Sequence, residues 1–452
     1  MVKRRSFIKT AGVIAAGTLL APSHAFGNRK KKRVIILGAG LAGLTAAYRL
    51  QQLGYGVSIV ESKGRLGGRV LTYRPDPEQP LTVEMGGEWI GSSHHHMRKL
   101  VEDVGLKLVD HTFQNHLLLK AEHFRPGNWD LSDKGKASLR SLVEKYNSLK
   151  PDQRILIDKT DWWRYLRNSG FESRDLDLQE LMDSNEYGES IRQVSALMAL
   201  GNHNNYGAKM EMDYRIEGGN QRLIDELAER IGWENIHLNQ PVTRVRQNPG
   251  GVRVFTYNGT LFEADKVICA LPVLAIRKID WDPGFSDDKK EALNSLQYSR
   301  ITKTAFLFKE RFWRDDQFGL LSDAHAHYIY HATRGQSGTH GVLMSHSIGD
   351  NAQVLGGASE AYRIKILNQA LDPLFGPVDK SLLKQSTLDW SRDPIVMGAV
   401  ALYGPGQVTS VMPELKQDMH NVHFCGEHLG DWQGFMEGAV QSAYDVAEQI
   451  VI

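Results

Sequence analysis

The apolar positions of this chain change their spacing along its length, and each change marks an element. Val34-Ile35-Ile36-Leu37 is a short unbroken apolar run, the pattern of a parallel strand buried on both faces. Gly38-Ala39-Gly40-Leu41-Ala42-Gly43 follows and predicts a tight turn into a helix over 44–53. A second apolar strand over 56–60 ends at Glu61. Residues 94–217 are mostly helical by periodicity and carry the aromatic patch Trp162-Trp163-Arg164-Tyr165. Gly218-Gly219-Asn220-Gln221 breaks the chain before an amphipathic helix over 223–231. Strict alternation then takes over: strands at 251–257 and 259–264 meet at Asn258-Gly259, a hairpin signal, and a strand at 266–271 ends in Pro272. Alternating strands at 302–308 and 341–347 predict a second sheet, and 422–426 with a helix over 436–450 complete the chain.

The first glycine cluster carries chemistry because of where it sits. After a buried strand and before a helix, Gly38 permits the turn, Gly40 lets a pyrophosphate approach the backbone, and Gly43 lets helix and strand pack closely. The N-terminus of that helix supplies unpaired N–H groups and a positive dipole end, both of which favour phosphate. Glu61, with Ser62 beside it, stands where a carboxylate accepts both ribose hydroxyls, and an acid there disfavours a phosphorylated ribose. The segment is expected to bind an adenine dinucleotide.

Composition narrows the rest. The 452 residues suit about two domains, and a net charge of +1 gives no reason to expect nucleic acid. Residues 1–25 read as an address: Lys3-Arg4-Arg5-Ser6-Phe7-Ile8-Lys9 is a twin-arginine pattern, followed by a modest apolar run and Ser23-His24-Ala25. The twin-arginine export machinery carries folded proteins, so the mature chain is expected in the periplasm with its cofactor already bound. Cys269 and Cys425 read as small buried hydrophobes, and no zinc spacing exists. His94-His95-His96 is read as a solvated helix start, since adjacent histidines on a helix point in different directions; no metal is expected.

Further segments carry a family likeness. Glu61-Ser62-Lys63-Gly64-Arg65-Leu66-Gly67-Gly68-Arg69 resembles the stretch after the ribose acid in the flavin amine oxidases, the family of monoamine, polyamine and L-amino-acid oxidases. Val83-Glu84-Met85-Gly86-Gly87-Glu88-Trp89-Ile90-Gly91 is similar to the family's loop past the flavin ring. Thr302-Lys303-Thr304 resembles the strand on which these enzymes place a lysine near flavin N5; read alone, Lys303 could equally face solvent. Phe424-Cys425-Gly426-Glu427 and Trp432-Gln433-Gly434-Phe435-Met436-Glu437-Gly438-Ala439 resemble the C-terminal signature. Trp390 to Val400 is similar to the preceding segment in the L-amino-acid oxidases.

The resemblance implies an α/β, two-domain protein: a dinucleotide-binding, Rossmann-like FAD domain (33–93, 218–285 and 388–452) and an inserted substrate domain of helices plus a mixed β-sheet (94–217 and 286–387). It implies FAD held by Gly38, Gly40, Leu41, Ala42, Gly43, Glu61, Ser62, Arg69, Gly86, Gly87, Glu88, Trp89, Val242, Glu427, Gly434, Phe435, Met436, Glu437 and Ala439. Lys303 is the implied catalytic residue, and Trp89, His346, Val400 and Phe435 the implied substrate pocket. Monoamine oxidases bond the flavin through a cysteine near 396–402; none occurs here, so a non-covalent flavin is expected.

The expected activity is oxidation of an amine C–N bond, with hydride passing to the flavin and O2 or a redox protein taking the electrons. The expected partners are a small-molecule amine and the export machinery, and a homodimer is left open. Amino-acid oxidases clamp the substrate carboxylate with an arginine and a tyrosine whose apparent places hold Trp89 and His346 here, which favours an amine. A charged His346, or Arg215 swung in from the helical segment, would restore the clamp and make an L-amino-acid oxidase. A flavin desaturase or isomerase acting on C–C bonds, and a non-catalytic flavin module, are the remaining alternatives.

Overall fold

The computed structural model describes residues 32–206 and 211–451; the leader read at 1–25 lies outside the described residues. Five parallel strands form the first sheet, in the order Val422–Phe424, Lys266–Cys269, Arg33–Leu37, Gly56–Val60 and Ile236–His237. Arg33–Leu37 is central, with Val34 opposite both Val57 and Lys266, and burial of Val34 to Leu37 on both faces explains its unbroken apolar run. Helices Leu41–Gln52, Gln221–Ile231 and Met436–Val451 pack together beside it.

The first helix begins at Leu41, three residues before the position read from sequence. Gly40 is still extended (φ −75°, ψ 175°), so Leu41, Ala42 and Gly43 make the first turn. Gly43 is therefore inside the helix, and a Cβ there would sit 2.0 Å from the Gly38 carbonyl oxygen. That contact fixes how closely turn and helix approach.

The predicted hairpin is present as Gly251–Thr256 and Leu261–Ala264, with Gly259 at φ +80° in the turn. It belongs to a separate four-stranded sheet with Val242–Asn248 and Asp280–Asp282.

The largest sheet has seven strands, ordered Leu382–Asp389, Ile301–Phe308, Gly341–Ile348, Tyr328–His331, Phe318–Ser322, Gln114–Leu119 and Glu122–Phe124. It is mixed, since Gln114–Leu119 runs parallel to Phe318–Ser322 while the other pairs are antiparallel. The reading of 94–217 as mostly helical misses these two early strands, and also Leu108–Asp110 and Tyr214–Ile216. Gln114–Leu119 has no strong alternation of its own and is a strand because a distant strand pairs with it.

Ile301–Phe308 lies inside this sheet with all eight residues buried. Phe306 and Phe308 pack into one apolar cluster, Ala305 and Leu307 into another, so both faces are covered. Lys303 shares the second face, opposite His346 and Leu388, and a solvent-facing lysine is ruled out.

Candidate active site

A cavity runs from the first glycine turn to the face of the seven-stranded sheet. Its two ends are built differently.

At the first end the wall is backbone. Gly38, Gly40, Leu41 and Ala42 line it, and the helix starting at Leu41 has no side chain capping its N-terminus. Uncapped amides at a helix start are a ready anion site. The Glu61 carboxylate is fixed by the Ala39 amide (2.8 Å) and the Lys63 amide (2.7 Å), and Ser62 joins it on the wall. Lys63 pairs with Asp393 at 2.5 Å. These residues fit a dinucleotide: donors for phosphate, an oriented carboxylate for a ribose, and an unobstructed approach over Gly40, where an added Cβ would meet nothing within 4 Å.

In the middle, Arg69, Gly86, Gly87, Glu427, Gly434, Phe435, Met436 and Ala439 reach the wall. Arg69 donates to Glu427 (2.5 Å) and to the Ala399 carbonyl (2.9 Å). Glu427 also accepts from the amides of Ala401 and Gly434, so it anchors Arg69 and the start of the last helix. Gly86 admits no side chain, since a Cβ would lie 1.9 Å from the Arg69 carbonyl oxygen.

At the far end the wall is side chains. Lys303 donates to the Glu84 carbonyl (3.1 Å), the Gly86 carbonyl (3.0 Å) and the Glu88 carboxylate (2.8 Å). Glu88 also accepts from Tyr330 (2.5 Å) and His111 (3.0 Å). Burial alone would raise the Glu88 carboxyl, but the Lys303 ammonium and the His111 hydrogen bond outweigh it and hold it at about 2. Glu84 goes the other way: burial pushes its carboxyl up to about 7 in spite of the Asn220 amide that bonds it.

His346 stacks on Trp89 (6.2 Å, 19°), and Tyr330 packs on the same indole at 5.2 Å. Burial, reinforced by the neighbouring Lys303 charge, holds the His346 imidazole well below its ordinary value, so it is neutral near pH 7. Both its ring nitrogens, and the Trp89 indole N–H, are buried with no hydrogen-bond partner among the described residues. Val400 and Phe435 complete this part of the wall.

Three residues assigned to the cofactor from sequence do not line the cavity. Gly43 packs against the turn, and Val242 starts a strand of the four-stranded sheet. Glu437 caps another helix: its carboxylate takes the amides of His96 (3.0 Å) and Met97 (2.7 Å) at the start of His95–Asp103. The three histidines are also not uniformly solvated. His94 is fully buried, accepts from the Gly91 amide and packs edge-on against Trp432 and Phe435, while His95 and His96 stay exposed. Among the described residues no group of three or more His, Cys, Asp or Glu is placed to hold a metal.

Arg215 cannot supply a clamp as it stands. It is buried on the strand Tyr214–Ile216 and donates to the carbonyls of Thr82, Ala332 and Arg334. Missed from sequence are Tyr330 and His111, which hold Glu88, and Asn185, Glu186, Glu211, Met212 and Ile301, which line the cavity. None sits in a recognisable motif.

The chain resembles known proteins along almost its whole length. It is 29% identical to an L-amino-acid oxidase of Siganus canaliculatus, over 92% of this chain and 85% of that protein. Among solved structures, a putrescine oxidase bound to putrescine superimposes with a TM-score of 0.83 at 21% identity, covering 93% of this chain and 99% of the other. The cyclohexylamine oxidase of Brevibacterium oxydans does so with 0.82 at 22%, covering 93% and 100%. At those identities the structural likeness is one of fold, a Rossmann-like cofactor domain with a substrate domain. The model of the flavin containing amine oxidoreductases matches residues 41–451, and the chain belongs to that family of flavin-dependent enzymes.

Proposed function

We propose that this enzyme holds FAD non-covalently and oxidises the C–N bond of an amine that carries no carboxylate beside the reacting carbon. When bound, the flavin supplies the hydride-accepting chemistry, and the protein supplies orientation and electrostatics. The glycine turn, the uncapped helix start and Glu61 would hold the nucleotide half; Gly86, Gly87, Gly434 and Met436 would approach the ring. Trp89, His346, Val400 and Phe435 would flank the substrate. A neutral amine losing hydride from its α-carbon becomes an iminium ion, which gives up a proton to form the imine, and water converts that to a carbonyl compound and ammonia or a smaller amine. The electrons then pass to O2, releasing H2O2, or to a periplasmic redox protein.

Non-covalent binding is supported by the cavity wall, whose described residues include no cysteine; Cys269 and Cys425 are buried free thiols elsewhere. Flavin that stays with the precipitated polypeptide after acid denaturation would contradict it.

The observation that carries the substrate reading is the state of the cations on the wall. Lys63, Arg69 and Lys303 are each paired with a carboxylate, and His346 is neutral. Among the described residues of the wall Arg69 is the one arginine, and Glu427 already neutralises it. Burying one unpaired costs several kcal/mol, about 2–7 even for a neutral polar group. An L-amino-acid oxidase is the second reading, favoured by the Siganus relative. Anaerobic flavin bleaching with matched pairs such as tryptamine and tryptophan separates the two; consistent preference for the amino acid overturns the amine reading.

The twin-arginine leader at 1–25 supports export of the folded, flavin-loaded chain to the periplasm. Replacing Arg4 and Arg5 by Lys should leave the precursor in the cytoplasm with flavin bound, and export that persists would remove this proposal.

A further inference from the structure

Lys303 spends all three of its N–H bonds within one short stretch of chain, on the carbonyls of Glu84 and Gly86 and on the Glu88 carboxylate. Glu88 in turn collects Lys303, Tyr330 and His111, from three separate segments. Each of these four side chains is less than one-tenth exposed. An ammonium and a carboxylate 2.8 Å apart in such a place cancel one another's field toward the cavity. The loop resemblance puts Glu88 with the cofactor, yet in the structure its carboxylate belongs to the lysine.

We propose that Glu88 is a specificity-determining, positioning residue: it neutralises and fixes Lys303, so that the reacting end of the cavity carries no net positive charge and does not admit carboxylates. The second half of this statement deepens the amine reading; the charge cancellation stands independently of it. Without Glu88, Lys303 becomes an uncompensated cation beside Trp89, over whose ring its ammonium already lies at 5.2 Å. It would then attract an anionic ligand into the aromatic end of the cavity. It would also stabilise the negatively charged, reduced state of a nearby flavin.

The substitution Glu88→Gln removes the charge while keeping the shape and a hydrogen-bonding group toward Lys303, Tyr330 and His111. Holoenzymes of the wild type, E88Q, K303M and the double variant would be titrated with benzoate, following the flavin absorbance, and their flavin midpoint potentials measured. E88Q is expected to bind benzoate about tenfold tighter than wild type, the effect of one uncompensated charge at this range. Its midpoint potential should rise. Both changes should vanish in the double variant, because they require Lys303.

Equal benzoate affinity and potential in wild type and E88Q, with flavin content intact, would overturn the proposal. So would a gain that survives removal of Lys303, since it would then be steric. Should E88Q fail to retain flavin, Glu88→Asp provides the test: the charge is kept, so benzoate must bind within about twofold of wild type, and a tenfold gain overturns the proposal. Failure of the amine reading is separable. Reduction by amino acids but not amines would leave the benzoate response untouched, and an absent response would leave the substrate panel untouched.

Discussion

The two ends of the cavity are built by different means. At the glycine turn the backbone forms the wall: amides of a helix start, glycines that give access, and one carboxylate fixed by the amides of Ala39 and Lys63. At the sheet end side chains do it, and the central pair, Lys303 and Glu88, is 215 residues apart in sequence, with Tyr330 reaching Glu88 across 242. A backbone site tolerates almost no change in shape. A side-chain site tolerates change in shape better than change in charge, and this difference can be tested at both ends.

The largest effect on flavin content is expected from Gly43→Ala. Its Cβ would lie 2.0 Å from the Gly38 carbonyl oxygen, a backbone atom that cannot swing aside. The helix would have to retreat from the turn, at a cost of about 1–3 kcal/mol or more. Purified protein should then carry little flavin and melt at lower temperature. A variant with full flavin content and an unchanged Tm would show that the close approach is dispensable and that this end is as adaptable as the other.

The same contrast explains what could be read from sequence. The glycine turn, Glu61 and the strand before them form one contiguous stretch, so local pattern and spacing are enough. The family resemblance assigns Lys303 and the Gly86–Trp89 loop to the site, and the structure brings both to the cavity. Pairing between them is not legible in sequence, because it depends on the register of Ile301–Phe308 in a seven-stranded sheet that includes strands from the region read as helical. Glu437 shows the converse. It sits inside a motif yet serves a helix start, because Gly434 and the last helix turn its carboxylate toward His96 and Met97 rather than the cavity.

Lys303→Met should leave the backbone end untouched and flavin bound, while slowing turnover chiefly in the oxidative half-reaction. It also strands the Glu88 carboxylate in a buried site with only Tyr330 and His111. Removing one partner of a buried ion pair costs about 3–5 kcal/mol, so the melting temperature should fall clearly. Stopped-flow rates unchanged in both half-reactions would remove Lys303 from the catalytic role. An unchanged Tm would show that Glu88 finds its stabilisation without the lysine.

The smallest effect concerns Glu84, which is buried in the same loop and touches the lysine only through its carbonyl. Its carboxyl accepts from Thr72 and the Asn220 amide, but burial and the nearby Glu88 charge raise it from 4.5 to about 7. A carboxyl raised on folding binds its proton more tightly in the native state than in the unfolded chain. At this group the native state therefore holds more proton between about pH 4.5 and 7, and the stability it contributes falls as pH rises through that window. A tenfold change in proton affinity is worth about 1.4 kcal/mol, so the loss from this group should be about 1–3 kcal/mol. Glu88 contributes in the opposite sense, since its depressed carboxyl stabilises the fold above about pH 4.5 and that contribution disappears only as pH falls toward 2. Buried histidines such as His94, His327, His331 and His428, held below their ordinary 6.5 by burial, add stability as pH rises to about 6.5, so Glu84 is read from the difference between Glu84→Gln and wild type in urea unfolding between pH 5 and 8. Glu84→Gln should gain stability relative to wild type as pH rises through that interval and leave the acid limb intact. A variant whose pH dependence parallels that of wild type would place the raised carboxyl elsewhere. One that instead loses stability on the acid side would show that the two carboxyls share a proton, and that the loop responds as a unit.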